Sequence, residues 1–327
     1  MNKPGYVIGV DIGGGSSRVA AILSDGVIVA RERVDSDPQA GYKHLVKKLR
    51  ASMGRIMAAR KARPLAMCVA CAGAVDFRRN VISSSPNFPG WRDVPLAEDL
   101  GRGRSFPVIL ENDANAAALG EGWIGAARGW PDFAMLTLGT GVGGGIVLGG
   151  AIYHGANGMA GELGHLPVSA AKLKCGCGRF GCLETTASAL GVARLAAGIM
   201  QAARGGALIR ACGGKPEKVD SRMVADLARS GDRACRDIMK GAGAELGEAL
   251  AVMALSLGLT RFVIGGGMAG AFDLLKAPMR RAALARAYTL GSRRLKIVQA
   301  SLGDDAGLLG AARIALDAAQ RPATERL

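Results

Sequence analysis

Aromatic side chains are few in this 327-residue sequence, with three Trp, four Tyr and seven Phe. That scarcity argues against a platform on which successive nucleic-acid bases stack. Proline numbers only 12 and the glycines follow no Gly-X-Y period, so collagen-like and low-complexity chains are excluded. A polar disordered chain is excluded too, because hydrophobic residues make up 49% and charged residues 21%. There is no G-x-x-x-x-G-K-S/T phosphate loop. Residues 133–161 lack Asp, Glu, Lys and Arg and could span a bilayer by length, but seven glycines between 139 and 150 break any stable helix. The apolar run at 249–260 is too short to span and reads as a buried helix. The N-terminus reaches Asp11 before a secretory hydrophobic region forms, so a cytoplasmic protein without membrane contact is expected.

Glycine is in excess, 49 residues against roughly 23 at average usage. So is positive charge, with 42 Lys and Arg against 27 Asp and Glu for a net +15. At about 150 residues per domain the length suggests two domains. Basic residues from Lys43 to Arg63 flank Leu45, Leu49, Met53 and Ile56, a spacing that turns one helix face to a core and the basic face to water. No helix-turn-helix module precedes the first strand, and no nucleic-acid partner is expected. The charge favours an anionic ligand such as a nucleotide.

The pattern of elements is α/β. A strand over 6–11, a turn at 13–17 and β-rich stretches over 18–23 and 27–31 open the chain. A helix over about 40–62 and a strand over 65–71 follow. A second strand, glycine turn and returning strand run over 133–138, 139–144 and 146–148. Helical spacing covers 184–204 and 222–257, and a short strand covers 262–264. A boundary near residue 115 gives a first domain of 1–115, rejoined by a C-terminal helix at about 308–327, and a second of 116–307.

Glycine tolerates positive φ and lets backbone N–H groups close on an anion. Turns at Gly13-Gly14-Gly15-Ser16, Gly139-Thr140-Gly141 and Gly265-Gly266-Gly267 read together as phosphate cradles, although any one alone is an ordinary tight hairpin. Two also fit G-x-G-x-x-G. Gly139, Gly141 and Gly144 lead into a strand, however, and no Asp or Glu near residue 290 serves a ribose after Gly265, Gly267 and Gly270. A nucleotide held by hairpin turns fits better than a nicotinamide enzyme.

Seven cysteines are an odd number for a disulfide framework. Cys175, Cys177 and Cys182 lie in C-x-C-G-x-x-G-C, ten residues after His165. Three thiolates and one imidazole complete a tetrahedral zinc shell, and with no position open that zinc is structural. Glu162 and Glu184 flank the cluster. Held in register by it they suit the hydroxyls of a sugar, whereas each alone could be a solvated acid. Asn112-Asp113 stands between a β-rich stretch and a helical run, where Asp is either a helix N-cap or a general base for an attacking hydroxyl.

Taken in order, V-D-I-G-G at 10–14, S-P-N-F-P-G-W at 85–91, E-N-D-A-N-A-A-A-L-G-E at 111–121 and L-G-T-G-V-G-G-G at 138–145 resemble the ROK family of bacterial sugar kinases and related repressors. A-G-E-L-G-H at 160–165, the cysteine cluster, I-G-G-G at 264–267 and G-D-D-A-G-L-L-G-A-A at 303–312 extend the resemblance over most of the chain. It implies a two-lobed actin-like ATPase (ribonuclease H-like) fold with a structural zinc loop. It implies an ATP-dependent sugar kinase, a phosphotransferase with an alcohol acceptor, that takes glucose to glucose 6-phosphate and forms a homodimer. N-acetylmannosamine, N-acetylglucosamine, fructose and mannose are the alternative sugars, and a catalytically weak sugar-binding regulator is the alternative class.

By the same resemblance Asp113 is the base, and Asn87, Asn112, Glu162, His165 and Glu184 contact sugar hydroxyls. Asp11, Gly13, Gly14, Gly15 and Ser16 face phosphate and Mg2+; Gly139, Thr140 and Gly141 face phosphate; Gly265, Gly266 and Gly267 face the adenosine. His165, Cys175, Cys177 and Cys182 match the family's zinc ligands. One departure stands out. The family's first loop usually reads D-I-G-G-T, and here Gly15 replaces the Thr, leaving Ser16 or Ser17 as substitute hydroxyls.

Overall fold

The computed structural model describes residues 5–201 and 206–320. They fall into two compact units, one of residues 5–131, 145–160 and 301–320 and one of 132–144 with 161–300. The chain therefore passes between the units four times. The expected boundary near residue 115 falls within a helix of the first unit.

The first unit opens with β1 (Tyr6–Ile12), β2 (Ser16–Leu23) and β3 (Ile28–Asp35), an antiparallel meander. Every residue of β1 is buried, as befits a strand covered on both faces. Helix α1 (Tyr42–Ala58) buries Leu45, Val46, Leu49, Met53 and Ile56 from one face. It is shorter at both ends than the spacing suggested: it starts after Gly41, at φ 84°, and ends at Ala58 ahead of the strand that Pro64 begins. Not all of the basic face is simply solvated. Arg50 donates to the carbonyls of Asp99 (2.6 Å) and Arg102 (2.9 Å), and Arg60 to that of Val29 (2.6 Å).

β4 (Pro64–Cys71), a small sheet of β5 (Ala74–Asp76), β6 (Val81–Ser84) and β7 (Arg92–Val94), helix α2 (Leu96–Gly101) and β8 (Val108–Asn112) lead to helix α3 (Asp113–Ile124). The main sheet has the order β3-β2-β1-β4-β8, with β1, β4 and β8 parallel. Asn112 thus ends the edge strand of this sheet and Asp113 begins a helix.

β9 (Phe133–Leu138), β10 (Val142–Leu148) and β11 (Ala151–Ile152) follow. The returning strand starts four residues earlier than expected, so the turn is only 139–141. Gly144 and Gly164 serve close backbone approach: a Cβ on Gly144 would lie 2.6 Å from the Gly161 carbonyl, and one on Gly164 2.0 Å from that of Val142.

The predicted helix over 184–204 is two, α4 (Glu184–Ala187) and α5 (Ala189–Gln201), and Arg204 lies outside the described residues. The break is Ser188, extended at ψ 166°, whose Oγ accepts the Gly191 N–H at 3.0 Å. After α6 (Gly206–Cys212), the predicted 222–257 helix also divides, into α7 (Ser221–Arg229) and α8 (Arg233–Leu257). Asp232 caps the second by accepting the Cys235 N–H at 2.8 Å. The run at 249–260 is the last part of α8; it ends at Leu257, and Val252, Leu255 and Leu257 are exposed. No helix among the described residues is long and apolar enough to cross a membrane.

β12 (Arg261–Gly265), α9 (Phe272–Arg286) and β13 (Lys296–Gln299) complete a second sheet of order β11-β10-β9-β12-β13. Each large sheet thus contains the strand, glycine turn and returning strand seen in the sequence.

The chain ends its described course in α10 (Ala306–Gln320) in the first unit; residues 321–327 of the expected C-terminal helix lie outside the described residues. Leu308, Leu309, Ala311, Ala312, Ala315 and Leu316 form a core with Val7, Ala20, Ile22, Ala66 and Cys68. The fully buried Glu121 of α3 secures the approach to α10, accepting N–H groups from Ser301 (2.9 Å) and Leu302 (2.8 Å). Helices α3 and α10 touch backbone to backbone. A Cβ on Gly310 would stand 1.6 Å from the Ala116 carbonyl oxygen, and one on Gly120 2.3 Å from that of Ala306. Gly310→Ala should therefore destabilise the fold by about 3 kcal/mol or more, the upper end of overpacking costs. Chemical denaturation measures it, and an unchanged midpoint would contradict the contact.

Candidate active site

In the first unit, Asp11 sits near the end of β1, buried. Arg18 stands opposite it in the β1–β2 register and donates to its Oδ2 at 2.7 Å. Burial pushes the Asp11 carboxyl above its ordinary range, and the Arg18 guanidinium opposes that rise. The turn that follows is closed by the Gly13 N–H to the Ser16 carbonyl (3.2 Å). Ser17 is fully buried, its Oγ 2.8 Å from that of Ser36, which donates to the Gly13 carbonyl at 2.6 Å. Ser17 therefore braces the loop from behind. Of the two candidate substitutes for a Thr hydroxyl, only Ser16 remains. Asn87 packs on the same turn, since a Cβ on Gly14 would lie 3.3 Å from its Cβ and Cγ.

At the β8–α3 junction the N-cap is Asn112, not Asp113. Asn112 Oδ1 accepts N–H groups from Ala114 (2.9 Å) and Asn115 (3.2 Å), while its Nδ2 donates to the Gly73 carbonyl (3.2 Å). Asp113 is the first helical residue, partly exposed, with Oδ1 accepting the Ala114 N–H at 2.9 Å. A carboxylate there gains from the helix N-terminus. Two residues that sequence reasoning did not single out support this turn. Glu111, 3% exposed, accepts the Asn112 N–H (2.8 Å) and the Asn115 amide (2.9 Å) on Oε1, and its Oε2 lies 2.8 Å from His154 Nε2. Glu111 stands inside a recognised motif, but its partner comes 43 residues later, from beyond β11, and no local spacing links them. Arg18 was findable by counting across the hairpin.

In the second unit, His165 Nδ1 lies 3.7 Å from Cys175 Sγ, and Cys177 Sγ lies 3.7 Å from Cys182 Sγ. All four ligand atoms fall within 4.8 Å of one another. A tetrahedral zinc with the usual bond lengths separates two sulfurs by about 3.8 Å and a sulfur from a nitrogen by about 3.6 Å. The donor set fits the ion in number, chemistry and spacing. Gly178 and Gly181, at φ 88° and 77°, make the left-handed corners that bring the cysteines together. Outside the cluster, burial pushes the thiols of Cys68 and Cys71 upward and that of Cys235 up to about 12, which keeps them inert.

Glu184 joins the cluster to the second glycine turn. Its Oε1 is 3.6 Å from Cys175 Sγ, and its Oε2 accepts the Val142 N–H at 3.1 Å. The first N–H of α5, from Ala189, donates to the Gly139 carbonyl at 2.8 Å. Glu162 stands apart, 3.9 Å from His165 Nε2 and half exposed.

Each of the three turns has one glycine of the expected set facing open space. A Cβ on Gly15, Gly139 or Gly267 would meet nothing within 4 Å. The others are backed by protein: Gly13 by the Ser16 carbonyl, Gly14 by Asn87, Gly141 by Glu184, Gly265 by Met135 and Gly266 by Leu138. Each loop thus offers a bare stretch of backbone on a supported base, although the Gly139 N–H is itself held by the Gly141 carbonyl at 2.9 Å.

A model of the ROK family matches residues 7–318. The glucokinase of Thermotoga maritima is 34% identical over 309 residues, covering 94% of this chain and 96% of that protein. An N-acetylmannosamine kinase of Yersinia pestis is 28% identical over 310 residues, covering 94% and 97%. The crystal structure of a ROK family glucokinase from Streptomyces griseus in complex with glucose and AMPPNP superposes with a TM-score of 0.80. It is 32% identical and is covered completely by 96% of this chain.

Proposed function

Since the chain belongs to the ROK family, we propose that it is an ATP-dependent hexose kinase that phosphorylates glucose to glucose 6-phosphate. The observation that carries this reading is the 34% identity to a glucokinase over nearly the whole of both chains, with the E-N-D turn intact. The N-acetylmannosamine kinase relative is more distant and supplies the main alternative acceptor.

The Asp113 carboxylate takes the proton from the acceptor hydroxyl, whose oxygen forms a bond to the γ-phosphorus of ATP. The bond from that phosphorus to the β–γ bridging oxygen breaks, and ADP leaves. Such in-line transfer asks the protein for positioning and charge stabilisation more than covalent chemistry. Asn87, Asn112, Glu162, His165 and Glu184 hold the sugar hydroxyls. The bare patches at Gly15 and Gly139 cradle phosphate, with Asp11, Gly13, Gly14, Ser16, Thr140 and Gly141 around them. Gly267, with Gly265 and Gly266, faces the adenosine. Asp11, held by Arg18, would face Mg2+, whose charge would offset that of the phosphates, and His165, Cys175, Cys177 and Cys182 would hold a structural zinc. The family fold is the two-lobed actin-like ATPase, and a cytoplasmic homodimer belongs to the same reading.

The test is a coupled ADP-release assay with ATP and Mg2+ over glucose, mannose, fructose, N-acetylglucosamine and N-acetylmannosamine. Strong turnover with glucose is expected. Turnover confined to another sugar overturns the choice of acceptor, and none with any sugar overturns the kinase.

Gly15→Thr should raise activity. A Thr side chain finds open space at this position, and one hydrogen bond to a charged group is worth about 1.5 kcal/mol, roughly tenfold in rate. Equal kcat in the two proteins would show that Ser16 already supplies the hydroxyl.

A further inference from the structure

We propose that His154 is a positioning residue for the acceptor side of the reaction, acting through Glu111 on the Asn112-Asp113 turn. The inference deepens the kinase reading and rests on it for the role of Asp113.

Glu111 is a buried carboxylate whose two oxygens face in different directions. Oε1 accepts from the backbone of Asn112 and the side chain of Asn115, so it fixes both ends of the turn on which Asp113 stands. Oε2 faces His154 Nε2. A buried carboxylate oxygen left without a donor is costly, and the carboxyl would rotate or draw water in to satisfy it. Rotation about the Glu111 carboxyl moves Oε1 as well, and with it the Asn112 N–H. His154 therefore controls the turn through Glu111.

The imidazole is itself held on its other side. The Phe77 ring lies 4.1 Å away, centroid to centroid, at 54°. A Cβ on Gly158 would stand 3.1 Å from the Phe77 ring, so the 155–159 loop backs that ring in turn. The His154 carbonyl accepts the Ala160 N–H at 3.0 Å and closes the loop at its root. Phe77 follows directly on β5, the strand after Gly73, whose carbonyl receives the Asn112 amide. The two loops that flank the turn thus meet on the His154 ring. A group that orients a reacting residue in this way contributes through geometry, and displacements of about 1 Å can cost two orders of magnitude in rate.

The experiment compares the full-length parent with His154→Ala, His154→Gln and His154→Asn. Glutamine places an amide N–H near the Nε2 position, and asparagine falls short of it. Steady-state kinetics, glucose binding by calorimetry without nucleotide, and thermal unfolding are read on each. For the alanine variant kcat should fall by about tenfold or more, with weakened glucose binding and a KM for ATP within about twofold of the parent. The glutamine variant should recover most of both losses, and the asparagine variant should not. An alanine variant that is folded and keeps kcat and glucose affinity overturns the proposal. So does a folded glutamine variant no better than the asparagine one, a comparison that decides the matter even if the alanine variant fails to fold. If the parent phosphorylates no sugar, the kinase reading fails separately. The amide resonances of Asn112 and Asn115 then still report on the linkage: they should shift in His154→Asn and return in His154→Gln, and unmoved resonances would sink it.

Discussion

Asp113→Asn should lower kcat by about 10³-fold and leave glucose binding within a fewfold of the parent, the range expected when a general base is removed. The separation follows from the local structure. The cap of α3 is Asn112, whose Oδ1 accepts from Ala114 and Asn115, so changing Asp113 leaves that cap in place. An amide at 113 retains an oxygen to accept the Ala114 N–H at 2.9 Å. The stability lost is the interaction of one carboxylate with a helix N-terminus, about 0.3–1 kcal/mol. What disappears is the group that can receive a proton. Calorimetric titration with glucose and single-turnover phosphoryl transfer measure the two quantities independently. Retained turnover would remove Asp113 from the role of base.

The second large effect concerns the metal. The purified protein should hold about one equivalent of zinc, and Cys175→Ser or Cys182→Ser should remove it and weaken glucose affinity by about 100-fold, the upper range for supports of a binding site. Cys175 and Cys182 are both buried, and without an ion their thiols and the His165 ring have no common partner. Glu184 would lose its neighbour at Cys175 while keeping the Val142 N–H, so the second glycine turn would be disturbed along with the sugar side. The rest of the loop has other anchors. Ser169 donates to Glu245 at 3.1 Å, Thr186 also bonds Glu245, and the Leu183 N–H donates to the Leu166 carbonyl at 2.9 Å. Loss of metal should therefore loosen the site more than it unfolds the unit. Elemental analysis with parallel thermal unfolding checks both parts, and less than about half an equivalent in carefully purified protein would contradict the assignment.

The strand and turn pairs near the start of each large sheet were legible because two physical signals coincide there: alternating or continuous apolar residues, and glycines where the chain reverses. The grouping of His165 with Cys175, Cys177 and Cys182 was legible because the four residues crowd into a short segment. Features set by contacts between distant segments were not. The breaks at Ser188 and Asp232 interrupt good helical spacing, and each depends on one side-chain cap that periodicity does not register. The early start of β10 at Val142 reflects pairing that begins directly after Gly141. Glu111 was visible as a letter in a motif, but its meaning lies in His154. The packing around the glycine turns was not legible either. Only the packing around them separates Gly15, Gly139 and Gly267 from glycines that are small because a backbone or side chain lies against them.

The position of α10 bears on how the molecule is made. Strands β1 and β4 emerge early in synthesis, yet Val7, Ala20, Ile22, Ala66 and Cys68 find their covering side chains only in residues 308–316. A nascent chain halted anywhere before residue 300 presents a sheet with one greasy face uncovered, which is the kind of surface that draws chaperones or aggregates. The first unit thus cannot finish folding on the ribosome ahead of the second. Its completion awaits synthesis of residues 308–316, and truncation ahead of residue 308 should harm solubility although it leaves every residue of the proposed site in place.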